Sequence, residues 1–218
     1  MKDLGYIFDM DGTLTDSMGA WRSLSYDYLK RKGKEPKPDL IEKIKPMSLK
    51  QSAAYFQEEY GITDSYEEMI DEEMSIIRDF YKNEVELKPG AAELLDYAKK
   101  NGAKMCIASA TERPEVETAL RRCGVLDCFE FIITCSESSG KDRPGIFEKA
   151  LSMLGTPKDR TVVVEDAYYA VKTAAKAGFR VYGVYDATVQ RNREKISGFC
   201  EIYADDPAAL LAEIKARG

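Results

Sequence analysis

Asp9 and Asp11 stand two positions apart at the end of a short apolar run, with Gly12 directly after the second. Side chains two apart in an extended segment project to the same side, so the two carboxylates are forced together and call for a cation. Mg²⁺ takes oxygen ligands from one or two carboxylates plus water and phosphate, and Asp9 with Asp166 and a backbone carbonyl would make such a cage. With charge drawn from both partners, Asp9 could attack phosphorus while Asp11 donates and accepts the proton. Taken alone, D-x-D-G reads more readily as a strand end and a turn, and the anion-cradling N–H groups of a Gly12-Thr13 loop are weak support.

Further candidates follow other apolar runs. Ser109 comes after Cys106-Ile107-Ala108, where its hydroxyl could bond a phosphate oxygen or equally form an ST-turn or helix cap. Lys141, in Ser138-Ser139-Gly140-Lys141-Asp142-Arg143, could neutralise phosphate and acidic side chains or simply be solvated. Glu165-Asp166 closes Thr161-Val162-Val163-Val164, and two carboxylates at the mouth of a buried strand need a cation or a helix start to compensate them. The joint occurrence decides: an acid pair, a hydroxyl, a lysine and a second acid pair each follow a separate predicted strand.

Composition removes competing chemistries. The 218 residues include no histidine, which excludes Ser-His-Asp and Cys-His hydrolase arrangements and the usual catalytic zinc sites. A net charge of −6 argues against nucleic acid or anionic lipid as partners and favours small molecules. Five cysteines without a CxxC pair point to neither a disulfide framework nor structural zinc. With no apolar leader and no membrane-length apolar run, the expectation is a cytoplasmic protein, a monomer or weak homo-oligomer, that does not engage membranes.

The elements that must position these residues follow from periodicity. Leu4 to Phe8 reads as a buried strand; Trp21, Leu24, Tyr28 and Leu29 recur at helix spacing, with Gly33 placed to end that helix. Ser48 with Gln51 and Ser65 with Glu68 fit capping boxes, and Ile70, Met74, Ile77 and Tyr81 predict the stripe of a third helix. Beyond a hinge at Glu86 to Gly90, strand and helix patterns alternate, ending in a capped helix from Asp205 to Lys215. The expectation is an α/β chain: a doubly wound parallel sheet, Rossmann-like, formed by residues 1–16 and 88–218, with an all-helical lobe inserted at 17–87. Ligands of such sheets bind beyond the carboxyl ends of the strands, where all the candidates fall.

In this order the four segments resemble the haloacid dehalogenase-like superfamily, and Phe8 to Ser17, FDMDGTLTDS, is very similar to its first motif. Ser109 matches the second motif, Lys141 the third and Glu165-Asp166 the fourth, and the helical insert resembles the small α-helical cap. The resemblance implies Asp9 as nucleophile and Asp11 as general acid/base, with Ser109 and Lys141 holding phosphate alongside Gly12 and Ala110. It implies Mg²⁺ bound by Asp9, the Asp11 carbonyl and Asp166, with Glu165 a further candidate ligand.

Within the superfamily the layout is similar to β-phosphoglucomutases and to sugar-phosphate and phosphoglycolate phosphatases. Where such mutases carry a lysine and an asparagine after the second motif this chain has Glu112 and Arg113, and Trp21 takes the place of a cap histidine. Ala167 and Ala170 replace a usual serine and glycine. A phosphatase is therefore expected ahead of a mutase, with a phospho-accepting receiver or an idle scaffold as remoter alternatives. Lys45, Lys50 and Arg113 are candidate cations towards substrate or ordinary surface charge.

Overall fold

The computed structural model describes residues 4–44, 47, 49–187 and 193–217; Lys45 and the Ser48 cap lie outside the described residues. The chain divides into two compact units, residues 1–18 with 85–218, and residues 19–84.

The larger unit is built on a six-stranded sheet, all of whose pairings are parallel: β1 (Gly5–Phe8), β2 (Lys104–Ser109), β3 (Phe131–Thr134), β4 (Thr161–Glu165), β5 (Arg180–Val184) and β6 (Ile202–Ala204). The order β3-β2-β1-β4-β5-β6 puts β1 at the centre, where the direction of winding reverses, so the acids after Phe8 open into the crevice used by doubly wound folds. Both faces of the sheet are covered, which explains the continuous apolar runs. Ile7, Ala108 and Val163 pack on one side with α7 (Gly145–Leu154) and α8 (Tyr168–Lys176). The other side carries α5 (Ala91–Lys100), α6 (Arg113–Arg122) and α10 (Pro207–Arg217).

Two features were not legible beforehand. β6 is a three-residue strand, too short for a period-2 pattern, yet it pairs in register with β5. Gly90, at φ 79°, lies so close to α10 that an added Cβ would sit 2.4 Å from Ala208 Cα; glycine here permits both the left-handed turn and the helix contact. The expected cap of the last helix is present, with Asp206 Oδ1 accepting from the Ala209 N–H at 2.7 Å.

The smaller unit holds α1 (Met18–Arg31), the short α2 (Leu40–Ile44), α3 (Leu49–Tyr60) and α4 (Tyr66–Asn83). Gly33 ends α1 in the left-handed region, and Ser65 with Glu68 forms a complete capping box for α4. The buried stripe of α4 is rotated from the expected one: it runs through Met69, Glu73, Ile76, Ile77 and Tyr81, while Ile70 and Met74 are half-buried. A carboxylate at the second position hid this from an apolar-periodicity reading. Tyr28 stacks on Phe56 at 5.9 Å, and Trp21 Nε1 donates to the buried Tyr81 hydroxyl at 3.0 Å.

Candidate active site

Strand β1 ends at Phe8, and Asp9 continues its ladder by donating its N–H to Val164 O at 2.9 Å. The carboxylates of Asp9, Glu165 and Asp166 converge there, all buried, with their oxygens within 4.8 Å of one another. Lys141 enters from the loop after β3 and is itself buried, so its alternative as a solvated loop lysine does not hold. Its Nζ bonds Asp9 Oδ1, and donates to Glu165 Oε1 at 2.6 Å. Burial alone would push the ammonium down, but the Asp9 and Glu165 carboxylates override it and hold its pKa above the ordinary lysine value.

Asp166 is placed differently. Burial, then the charges of Glu165 and Asp9, push its carboxyl well above the usual range. Among the described residues only the Thr13 hydroxyl donates to it, at 3.3 Å. Glu165 Oε1 serves Lys141, while its Oε2 accepts the N–H groups of Asp166 and Ala167 at 2.9 and 2.8 Å. Glu165, of the two acids, therefore compensates the backbone N–H groups ahead of α8.

The donor set is tested by its chemistry: buried, mutually repelling carboxylate oxygens, one of them without a cationic hydrogen-bond partner, fit a hard divalent cation. Asp9 and Asp166 are the better placed carboxylates, since both oxygens of Glu165 already accept hydrogen bonds. The Asp11 side chain is held outside this cluster, its Oδ1 accepting from Ser17 Oγ at 2.6 Å and its Oδ2 from Thr111 Oγ1 at 2.7 Å.

The loop after Asp9 corrects one expectation. The N–H groups of Gly12 and Thr13 are not free for an anion, because they donate to Thr15 O and Met10 O at 3.0 and 3.3 Å. Gly12 permits close approach instead: at φ 82° an added Cβ would stand 2.7 Å from Asp166 Oδ2. Among the described residues, the N–H groups of Met10 and Ala110 have no protein acceptor, and they adjoin Asp9 and Ser109. Ser109 is buried and its Oγ accepts the Thr111 N–H at 3.0 Å, the ST-turn alternative, which leaves its hydroxyl hydrogen to donate.

The structure thus brings Asp9, Lys141, Glu165 and Asp166 into direct contact or ligand distance, with Asp11 and Ser109 joined through Thr111. Arg113 is not a free cation, being paired with Glu137 at 2.8 Å, and Lys50 is exposed on α3. Sequence reasoning missed Ser17, Thr111 and the Met10 N–H. Ser17 lay inside the first motif and Thr111 two residues after Ser109, but a hydroxyl's partner is not visible in its spacing.

Comparison with known proteins agrees with this geometry. The sequence model of the haloacid dehalogenase-like hydrolases matches residues 6–184. A phosphorylated carbohydrates phosphatase of Thermotoga maritima is 29% identical over 82% of this chain and 83% of its own. A (DL)-glycerol-3-phosphatase of Arabidopsis thaliana is 28% identical over 96% of this chain and 70% of its own. The crystal structure of a putative β-phosphoglucomutase from Thermotoga maritima superposes with a TM-score of 0.78 at 25% identity, covering 98% of this chain and 99% of that one. With more than half its length matched by the family model and a six-stranded parallel core carrying the acidic cluster, the chain belongs to the haloacid dehalogenase-like hydrolases.

Proposed function

We propose that this chain is a Mg²⁺-dependent phosphatase that hydrolyses small phosphorylated metabolites through an aspartyl-phosphate on Asp9, the helical unit 19–84 serving as its cap. The observation that carries this reading is the buried Asp9, bonded by Lys141 and lying within ligand distance of Asp166. Its relatives named as phosphatases support the same reaction class.

Asp9 attacks phosphorus and the ester oxygen leaves with the proton of Asp11. Asp11 then takes a proton from the water that attacks the phosphoaspartate, releasing inorganic phosphate and restoring the Asp9 carboxylate. Ser17 and Thr111 orient Asp11, both donating to it in this structure. Lys141, Ser109 Oγ and the unpartnered N–H groups of Met10 and Ala110 supply donors for the transferring phosphoryl oxygens. Asp9, Asp166 and the Asp11 carbonyl would hold Mg²⁺, which when bound withdraws charge from the phosphate and lessens its repulsion from Asp9.

Support for hydrolysis ahead of a mutase comes from two donors that are already committed. Arg113 is fixed on Glu137 and on Ile132 O, and the indole N–H of Trp21 is spent on Tyr81. The test is turnover of p-nitrophenyl phosphate and of a panel of phosphorylated metabolites, with and without Mg²⁺. The expected result is Mg²⁺-dependent phosphate release that falls to background in Asp9→Asn. Equal turnover by that variant, or by the unaltered chain in excess chelator, would overturn the reading.

A further inference from the structure

The edge of the core beyond Asp11 carries charges that the catalytic set does not use. Thr111, which ties Asp11 to the loop after β2, is followed by Glu112, exposed at the start of α6 where its side chain makes no capping bond. Glu112 Oε2 instead accepts from Ser136 Oγ at 2.7 Å, and Ser136 Oγ is 2.8 Å from Thr134 Oγ1. The carboxylate is thereby drawn across the carboxyl ends of β2 and β3.

The neighbouring cation is turned away from that position. Arg113 donates through Nε and Nη2 to Glu137 at 2.9 and 2.8 Å, and through Nη2 to Ile132 O at 2.7 Å. Glu137 is fixed in turn by accepting the Thr134 N–H at 3.0 Å, and the Arg113 guanidinium holds its carboxyl below the usual range. The Nε and Nη2 groups of Arg113 are thus committed to Glu137 and Ile132 O, and among the described residues the Glu112 carboxylate has no cationic partner.

We infer that Glu112 is a specificity-determining residue. It selects phosphomonoesters whose leaving group is uncharged near the scissile bond, such as a sugar or polyol, against those carrying a second phosphate or a carboxylate there. The inference rests on the phosphatase reading above: an oxygen that takes its proton from Asp11 departs beside Thr111, and Glu112 is the next residue. A like charge about 10 Å from the Glu112 carboxylate, in the intermediate dielectric of a protein surface, would lower kcat/KM by about ten-fold.

The experiment measures kcat/KM of the full chain with Mg²⁺ on glycerol 3-phosphate and glucose 6-phosphate against 2-phosphoglycolate and a hexose bisphosphate. It compares the unaltered protein with Glu112→Gln and Glu112→Lys. Taking the ratio of ester classes within one variant cancels any change in folded fraction. The ratio should favour the neutral leaving groups in the unaltered chain, fall by about ten-fold in Glu112→Gln, fall further in Glu112→Lys, and compress in high salt. A ratio unmoved by both substitutions, or an unaltered enzyme that prefers the doubly charged esters, overturns the inference alone. Absence of Asp9-dependent turnover on every ester defeats the phosphatase reading, and this inference with it.

Discussion

Lys88 Nζ lies 2.8 Å from Asp186 Oδ2, both side chains being buried at the carboxyl edge of the sheet. The same ammonium donates to Tyr185 O at 3.1 Å, and the Lys88 N–H donates to Leu14 O at 2.8 Å. One residue thus ties the segment entering α5 to both the first-motif loop and the end of β5. Asp186 is also close enough to Asp166 to add to the negative potential there.

Removing one member of that pair should cost more than removing both. Lys88→Met leaves the Asp186 carboxylate buried without its ammonium and is expected to destabilise the chain by about 3–5 kcal/mol. The double variant Lys88→Met, Asp186→Asn should recover much of this. Urea unfolding of the two single variants and the double variant measures the coupling directly, and additive losses would show that the pair is not coupled.

Asp166 should be an apo-state liability. With its carboxyl buried beside Glu165 and Asp9, Asp166→Asn is expected to raise the melting temperature in chelator, and to show none of the rise on adding Mg²⁺ that is expected of the unaltered chain. Thermal melts in EDTA and across a Mg²⁺ titration would record both effects. A variant still stabilised by Mg²⁺ would place the ion elsewhere.

Gly12→Ala should damage the site more than the fold. Its Cβ would require the strained left-handed region and would press to 2.7 Å from Asp166 Oδ2. The expected cost is about 1–3 kcal/mol of stability from backbone strain, accompanied by a loss of kcat/KM of about a hundred-fold or more, since small misplacements at a phosphoryl-transfer centre are costly. Steady-state kinetics beside a thermal melt would separate the two, and near-normal turnover would argue against the close approach.

Glu73 gives the helical unit a pH dependence. Burial raises its carboxyl from 4.5 to about 7, so the folded state prefers the neutral acid. Its contribution is complete below the unfolded pKa and is lost as pH rises towards about 7. The expected decline is about 3 kcal/mol between pH 4 and pH 8. Urea titrations across that range should show this slope in the unaltered chain and not in Glu73→Gln; parallel slopes would mean that Glu73 ionises without penalty.

The sequence by itself determined the parallel α/β core and which residues stand at the mouths of its central strands. The central strands are buried on both faces, so their runs are continuously apolar and end abruptly where polar residues begin. That contrast marked Asp9, Ser109 and Glu165-Asp166 as residues at strand mouths, and the family resemblance ordered their roles. Missing from such a reading were the individual hydrogen-bond and ion-pair partners that each side chain takes from distant segments.

The tertiary structure alone decided which oxygen of Glu165 serves Lys141 and which serves the backbone. It decided that Gly12 makes room for Asp166 when its N–H is already spent, that Arg113 turns to Glu137, and that α4 buries a carboxylate. The physical reason is common to all of these. A one-dimensional pattern reports whether a side chain meets water or apolar neighbours, because that preference repeats with the element. Hydrogen-bond and ion-pair partners are chosen by packing, from residues that can be 100 or more positions apart, as Asp11 and Thr111 are.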